Sequence, residues 1–144
     1  MTTSDYRIQR DGEGPIQPGD RFTIYRTFTH EDVHSFSTLT GDKGNHHMAP
    51  DSEGRLIVHG LLTGSLPTIL GGALNFLIAT MTYNFHAPVF TGEKITCSLT
   101  IDTAKPAKRG LQLTASIACI NEQGVAVLTG SCAGRAKSEI PEFA

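Results

Sequence analysis

The hydrophobic period of the chain changes once, near residue 74, and that change limits the folds open to it. Upstream, Val58, Leu62, Leu66 (or Ser65), Ile69 and Ala73 fall on one helical face, and Leu61 and Leu70 widen it. A stripe that broad belongs to a helix buried on most sides. Pro67 interrupts it, and an interior proline costs about 3 kcal/mol unless a kink or a new first turn takes it up, so an irregularity is expected there. Gly64, Gly71 and Gly72 leave room for another backbone to lie close. Downstream, residues 74–85 are rich in β-formers, and Ile95, Cys97, Leu99 and Ile101 alternate without error across residues 94–102. Leu111, Leu113, Ala115, Ile117 and Cys119 repeat the alternation, and residues 125–134 supply a last strand.

The first half adds one strand and one helix. Residues 21–28 alternate imperfectly around Phe22 and Ile24. Thr29 is a good N-cap, Glu31 and Asp32 suit the first turn, Val33, Phe36 and Leu39 form an apolar stripe, and Gly41 ends the helix. Strands clustered late around one dominant helix imply an α+β fold, with an antiparallel sheet of about five strands wrapped around one long central helix. At 144 residues the chain reads as a single domain, with residues 1–19, rich in Gly and Pro, as a loose leader and residues 138–144 as an exposed or frayed tail.

Charge and cysteine usage exclude several functions. Twelve Lys and Arg against fourteen Asp and Glu give a net charge of -2, without the basic footprint of a nucleic-acid binder. The three cysteines have no Cys-x-x-Cys spacing and sit in strand-like runs, so they read as reduced packing residues. The N-terminus lacks the pattern of a signal peptide and no apolar run approaches about 20 residues, which makes the cytoplasm the default compartment and leaves no membrane partner. Without a Gly-rich phosphate motif or P-loop, no nucleotide cofactor is expected.

Acid/base chemistry concentrates between Gly41 and His47, where Asp42, His46 and His47 follow the end of a helix. A carboxylate and an imidazole five positions apart on a turn are close enough to hold one water between them. Taken alone, Asp42 is a natural turn residue after a helix C-terminus. Adjacent histidines rarely ligate one ion, and no Cys, Glu or third His lies at zinc-site spacing, so no metal is expected. His30, His34 and His86 read as surface or strand residues, and Lys43, Arg55, Lys105, Lys108 and Arg109 as solvated charge.

Three stretches resemble the MaoC-like family of (R)-specific enoyl-CoA hydratases and 3-hydroxyacyl dehydratases. Gly41, Asp42 and His47 match its Gly-Asp-x-Asn-Pro-x-His loop, with Gly44 and Asn45 standing where the family has Asn-Pro. Ile57 to Gly60 is similar to its Val-His-Gly segment, and residues 85–93 to its Phe-x-x-Pro-Val-x-x-Gly-Asp/Glu strand end. The resemblance implies a hotdog fold, a homodimer closing the open sheet edge, and a trans-2-enoyl thioester of coenzyme A or acyl carrier protein as substrate. It implies that Asp42 and His47 activate water and that the Gly60 amide donates to the thioester carbonyl. Asn45, His59 and Thr68 would surround the substrate: Asn45 takes over part of the loop ordering, and Thr68 stands where a serine often orients the aspartate. Without the family, His59 reads as a packed or hydrogen-bonded histidine. A non-catalytic acyl-thioester sensor or scaffold, and an acyl-CoA thioesterase, are the alternative functions.

Overall fold

The computed structural model describes residues 7–137. Six strands form one antiparallel sheet in the order β1-β2-β4-β5-β6-β3, where β1 is Gln9–Asp11, β2 Arg21–Thr27, β3 Leu77–Phe85, β4 Lys94–Pro106, β5 Leu111–Ile120 and β6 Ala126–Ala136. Helix α1, His30–Thr40, precedes a short turn of helix α2, Asn45–Met48. The central helix follows as α3, Gly60–Thr63, and α4, Leu66–Ala73.

The alternation in β4 and β5 is what makes a wall for that helix. Ile95, Cys97, Leu99 and Ile101 of β4, and Leu113, Ala115, Ile117 and Cys119 of β5, are all buried together with Phe22 and Ile24 of β2. They join Leu62, Leu66 and Leu70 of the central helix in one core. A sheet wrapped on a helix is thus the arrangement that the change of period required.

Proline accounts for the break in the helix. Thr68 N–H bonds back to Ser65 O at 3.1 Å, so α4 starts afresh with Pro67 in its first turn, where a missing N–H costs nothing. The Gly64 carbonyl, freed by the break, accepts instead from the Tyr83 hydroxyl at 2.8 Å. At the other end, Asn75 adopts φ 52° and Phe76 N–H reaches Gly71 O at 2.8 Å, a left-handed C-terminal cap that delays β3 to Leu77.

Four expectations change. Val58 is not helical: its N–H bonds to Val89 O at 2.8 Å and Ile57 bridges Phe90, so this segment lies extended and the helix begins at Gly60. The sheet, expected at about five strands, has six among the described residues, because Gln9–Asp11 pairs with β2. Residues 9–19 are correspondingly no loose leader. The Arg10–Asp20 ion pair, at 2.7 Å with Asp20 buried, and the buried Ile16 tie them down. In α1 the capping box of Thr29 and Asp32 and the left-handed Gly41 at φ 83° are as expected, but Leu39 is 83% exposed and Ser37 takes the inward position beside Val33. The expected tail at 138–144 lies outside the described residues.

Cys97, Cys119 and Cys132 are buried and free. Cys97 shares a hydrogen bond with Cys119, which together with burial pushes its thiol up, and burial pushes Cys132 up to about 11. Because the thiolate is the reactive form, the folded protein is expected to be inert to Ellman's reagent at pH 8 and to titrate all three thiols only once unfolded. A fast native thiol would contradict this packing. No helix among the described residues is long and apolar enough to cross a membrane.

Candidate functional site

Asp42 follows directly on the left-handed end of α1, and two local bonds shape its loop. The Asp42 N–H donates to Thr40 Oγ1 at 3.2 Å, and Gly44 N–H donates to Asp42 Oδ1 at 3.2 Å. The second carboxylate oxygen, Oδ2, takes no part in these two bonds. It lies 3.9 Å from His47 Nε2, beyond hydrogen-bond reach and within the span that one bridging water covers.

The turn of helix α2 carries His47 inward. His47 N–H bonds to Gly44 O at 2.9 Å, and the imidazole is buried with Nδ1 2.7 Å from Ile57 O. A carbonyl only accepts, so Nδ1 carries a hydrogen and Nε2 is the ring nitrogen left on the Asp42 side. His46, the neighbouring imidazole, is exposed and packs on His47 at 3.9 Å between centroids. The turn thus selects His47 and not His46 for the carboxylate.

Gly44 stands where the resembling family has asparagine, and it lies among the side chains of Asp42, His46 and His47. A Cβ would lie 3.1 Å from His46 Cε1, 3.4 Å from His47 Cδ2 and 3.5 Å from Asp42 Oδ1. The Asx-type bond to Asp42 orders the loop in place of a side chain at that position.

His59 closes the floor. Its Nε2 lies 3.0 Å from the Asp42 carbonyl and 3.0 Å from Ser37 Oγ, so Nε2 carries the hydrogen. Its ring stacks on His47 with centroids 3.8 Å apart and 20° between planes, and packs against Phe36 at 4.7 Å. Asp42, His47 and His59 each bring one potential ligand atom within 4.8 Å of one another, a proximity that sequence spacing does not reveal. One nitrogen of each ring is already committed to a backbone carbonyl, which leaves one per ring for water or a cation.

Of the remaining candidates, Gly60 opens α3 beside the dyad, and its N–H makes no hydrogen bond to the described residues. Thr63, one turn on, is buried with its hydroxyl unpartnered among the described residues. Two expected contacts are not made. Thr68 is exposed and donates to Ser65 O at 2.5 Å, because the restarted helix turns it away from Asp42. Asn45 is exposed too, and its backbone carbonyl, not its side chain, bonds locally, to Ala49 N–H at 2.8 Å. Ser37 is the residue that sequence reasoning missed; its position four after Val33 on the same helical face was the available signal. Among the charged candidates, Arg55 is held by Asp51 at 3.0 Å and lies over the Phe90 ring at 3.9 Å, while Lys43, Lys105, Lys108 and Arg109 are exposed.

The sequence matches no family model and no curated protein at a significant level. Solved structures do match. An (R)-hydratase from A. caviae involved in PHA biosynthesis aligns at TM-score 0.74 with 23% identity, over 88% of this chain and 98% of that one. The R-hydratase PhaJ1 from Pseudomonas aeruginosa aligns at TM-score 0.74 with 18% identity, over 90% and 92%. A hypothetical thioesterase with coenzyme A from Streptococcus pneumoniae TIGR4 aligns at 0.58 with 8% identity, over 93% and 88%. The chain has the hotdog fold.

Proposed function

We propose that the protein is a hydro-lyase that reversibly hydrates a trans-2-enoyl thioester of coenzyme A or acyl carrier protein to the 3-hydroxyacyl thioester. The observation that carries this reading is the 3.9 Å gap between Asp42 Oδ2 and His47 Nε2, with the other ring nitrogen, Nδ1, held by the Ile57 carbonyl. In the proposed step, water held in that gap loses a proton to the dyad while its oxygen bonds to the β-carbon. The π electrons move toward the α-carbon and the thioester oxygen, and the proton is returned to the α-carbon. The Gly60 N–H stabilises the charge on that oxygen, a contribution of about 3 kcal/mol for a donor of this kind. The MaoC-like motifs support the same assignment, as do the matching hydratase structures.

A homodimer fits the sheet edge. Strand β3 pairs on one side only among the described residues, and it exposes Leu77, Met81 and Phe85. A long apolar edge of this kind invites pairing with a second copy.

Purified protein with crotonyl-CoA is expected to bleach the conjugated thioester absorbance without releasing thiol. Thiol release at the same rate would favour hydrolysis, the second reading, which the fold match to a thioesterase structure supports. Binding without either change would leave an acyl-thioester sensor or scaffold.

A further inference from the structure

Thr63 is buried in the central helix at 3% exposure, and its hydroxyl has no hydrogen-bond partner among the described residues. Leaving such a group unpaired costs about 1–3 kcal/mol. Other hydroxyls along the helices turn back on their own chain: Thr40 Oγ1 donates to Phe36 O at 2.7 Å, Ser65 Oγ to Leu62 O at 2.5 Å and Thr68 Oγ1 to Ser65 O at 2.5 Å. The carbonyl four residues before Thr63 is less open to this. His59 O already accepts two N–H groups, those of Leu62 and Thr63, at 3.0 Å each. Gly60 and Thr63 are three residues apart in α3, which places them on one face, and a helical side chain leans toward the N-terminus over the residues before it. Gly60 has no side chain to stand between them. Both residues line one cavity of about 340 Å³, and His47 lines it too.

We infer that Thr63 is a second donor to the thioester carbonyl, its hydroxyl joining the Gly60 N–H on the same oxygen. The inference rests on the hydratase reading for its substrate. A carbonyl oxygen has two lone pairs, and a single backbone N–H engages one of them. A hydroxyl from the next turn of the same helix supplies the other bond, and both bonds strengthen as charge moves onto the oxygen during addition of water. The hydroxyl is shielded from solvent in the free protein, so little water has to be stripped from it when the substrate arrives. Its missing bond is made only with the ligand in place. No proton changes hands in this contact: the hydroxyl hydrogen stays on Thr63, and the proton chemistry remains with Asp42 and His47.

The test compares the wild-type chain with Thr63→Val, which keeps the shape and drops the hydroxyl, and Thr63→Ser, which keeps the hydroxyl. Three quantities are read on each: kcat for crotonyl-CoA hydration, the melting temperature, and the infrared carbonyl band of bound butyryl-CoA carrying carbon-13 at the thioester carbonyl. Butyryl-CoA has no double bond to hydrate, so its band reports the hydrogen bonds on that oxygen apart from the chemistry. Thr63→Val is expected to lower kcat by about 10²-fold, the scale of one lost donor to a developing oxyanion, and to raise the frequency of the bound carbonyl. It should melt at or above the wild-type temperature, since an unpaired buried hydroxyl has been removed. Thr63→Ser keeps the wild-type band and most of the rate. A hydroxyl spent inside the helix, on His59 one turn back, predicts the reverse: Thr63→Val melts lower and the carbonyl band does not move. That outcome, or a wild-type kcat in Thr63→Val, overturns the inference. A band that shifts in Thr63→Val while the wild type hydrates no enoyl-CoA sinks the hydratase reading and leaves Thr63 as a donor to the carbonyl. Failure of the wild type to bind butyryl-CoA overturns both.

Discussion

Asp42→Asn and His47→Gln are each expected to abolish measurable hydration of crotonyl-CoA, a loss of about 10²- to 10⁴-fold, while the protein stays folded. The loss follows from the proton chemistry: an amide at position 42 or 47 still bonds to water and no longer takes its proton. Folding is spared because Asn retains an oxygen for the Gly44 N–H, which Asp42 Oδ1 accepts at 3.2 Å. Gln at position 47 likewise retains a donor for the Ile57 carbonyl. The double variant should be no worse than either single one, since residues acting as a unit are not additive. His46→Gln should lose far less, because His46 lies outside the pair. Rates of absorbance loss, with circular dichroism as the folding control, decide it, and full activity in the double variant would contradict the assignment.

His59→Ala is expected to lower kcat by about 10²-fold with a smaller change in KM, the penalty that a misplacement of about 1 Å carries. His59 touches both members of the dyad. It holds the Asp42 carbonyl from one side while its ring supports His47 from below, so its removal frees both members of the dyad to drift. The variant also leaves Ser37 Oγ without its buried partner, at a stability cost of about 1–3 kcal/mol. His59→Gln, which restores an N–H for Asp42 O, should recover part of kcat. A pH profile of kcat that keeps its shape in His59→Ala would agree with positioning, whereas loss of one limb would make His59 a proton-transfer group.

The site was legible in the sequence wherever spacing alone decides proximity. Asp42 and His47 are separated by one turn, and a left-handed glycine before them and a helical turn around them bring the two side chains together. His59 and Ser37 were less legible, because their pairing joins residues far apart in the chain and Ser37 is polar on a face that Leu39 appeared to own by period. The restarted helix explains the loss of Thr68: the proline was read as an irregularity, but the rotation that it imposes on the next residues is a matter of three-dimensional packing. The same holds for Gln9–Asp11, too short to show a period, whose place in the sheet depends on the buried Arg10–Asp20 pair. By contrast, the buried face of β4 and β5 is legible, since Ile95, Cys97, Leu99 and Ile101 alternate without error; the extension of β4 from residue 102 to Pro106, past a register shift at Ile101/Thr103, is not.

Hydration in water enriched in oxygen-18 bears on the dyad most directly. The account predicts an intact thioester product heavier by one labelled water, with the label on the β-hydroxyl, formed by the wild-type protein and not by Asp42→Asn. Label recovered in the carboxylate of a free acid, or the absence of any labelled 3-hydroxyacyl thioester, would contradict it.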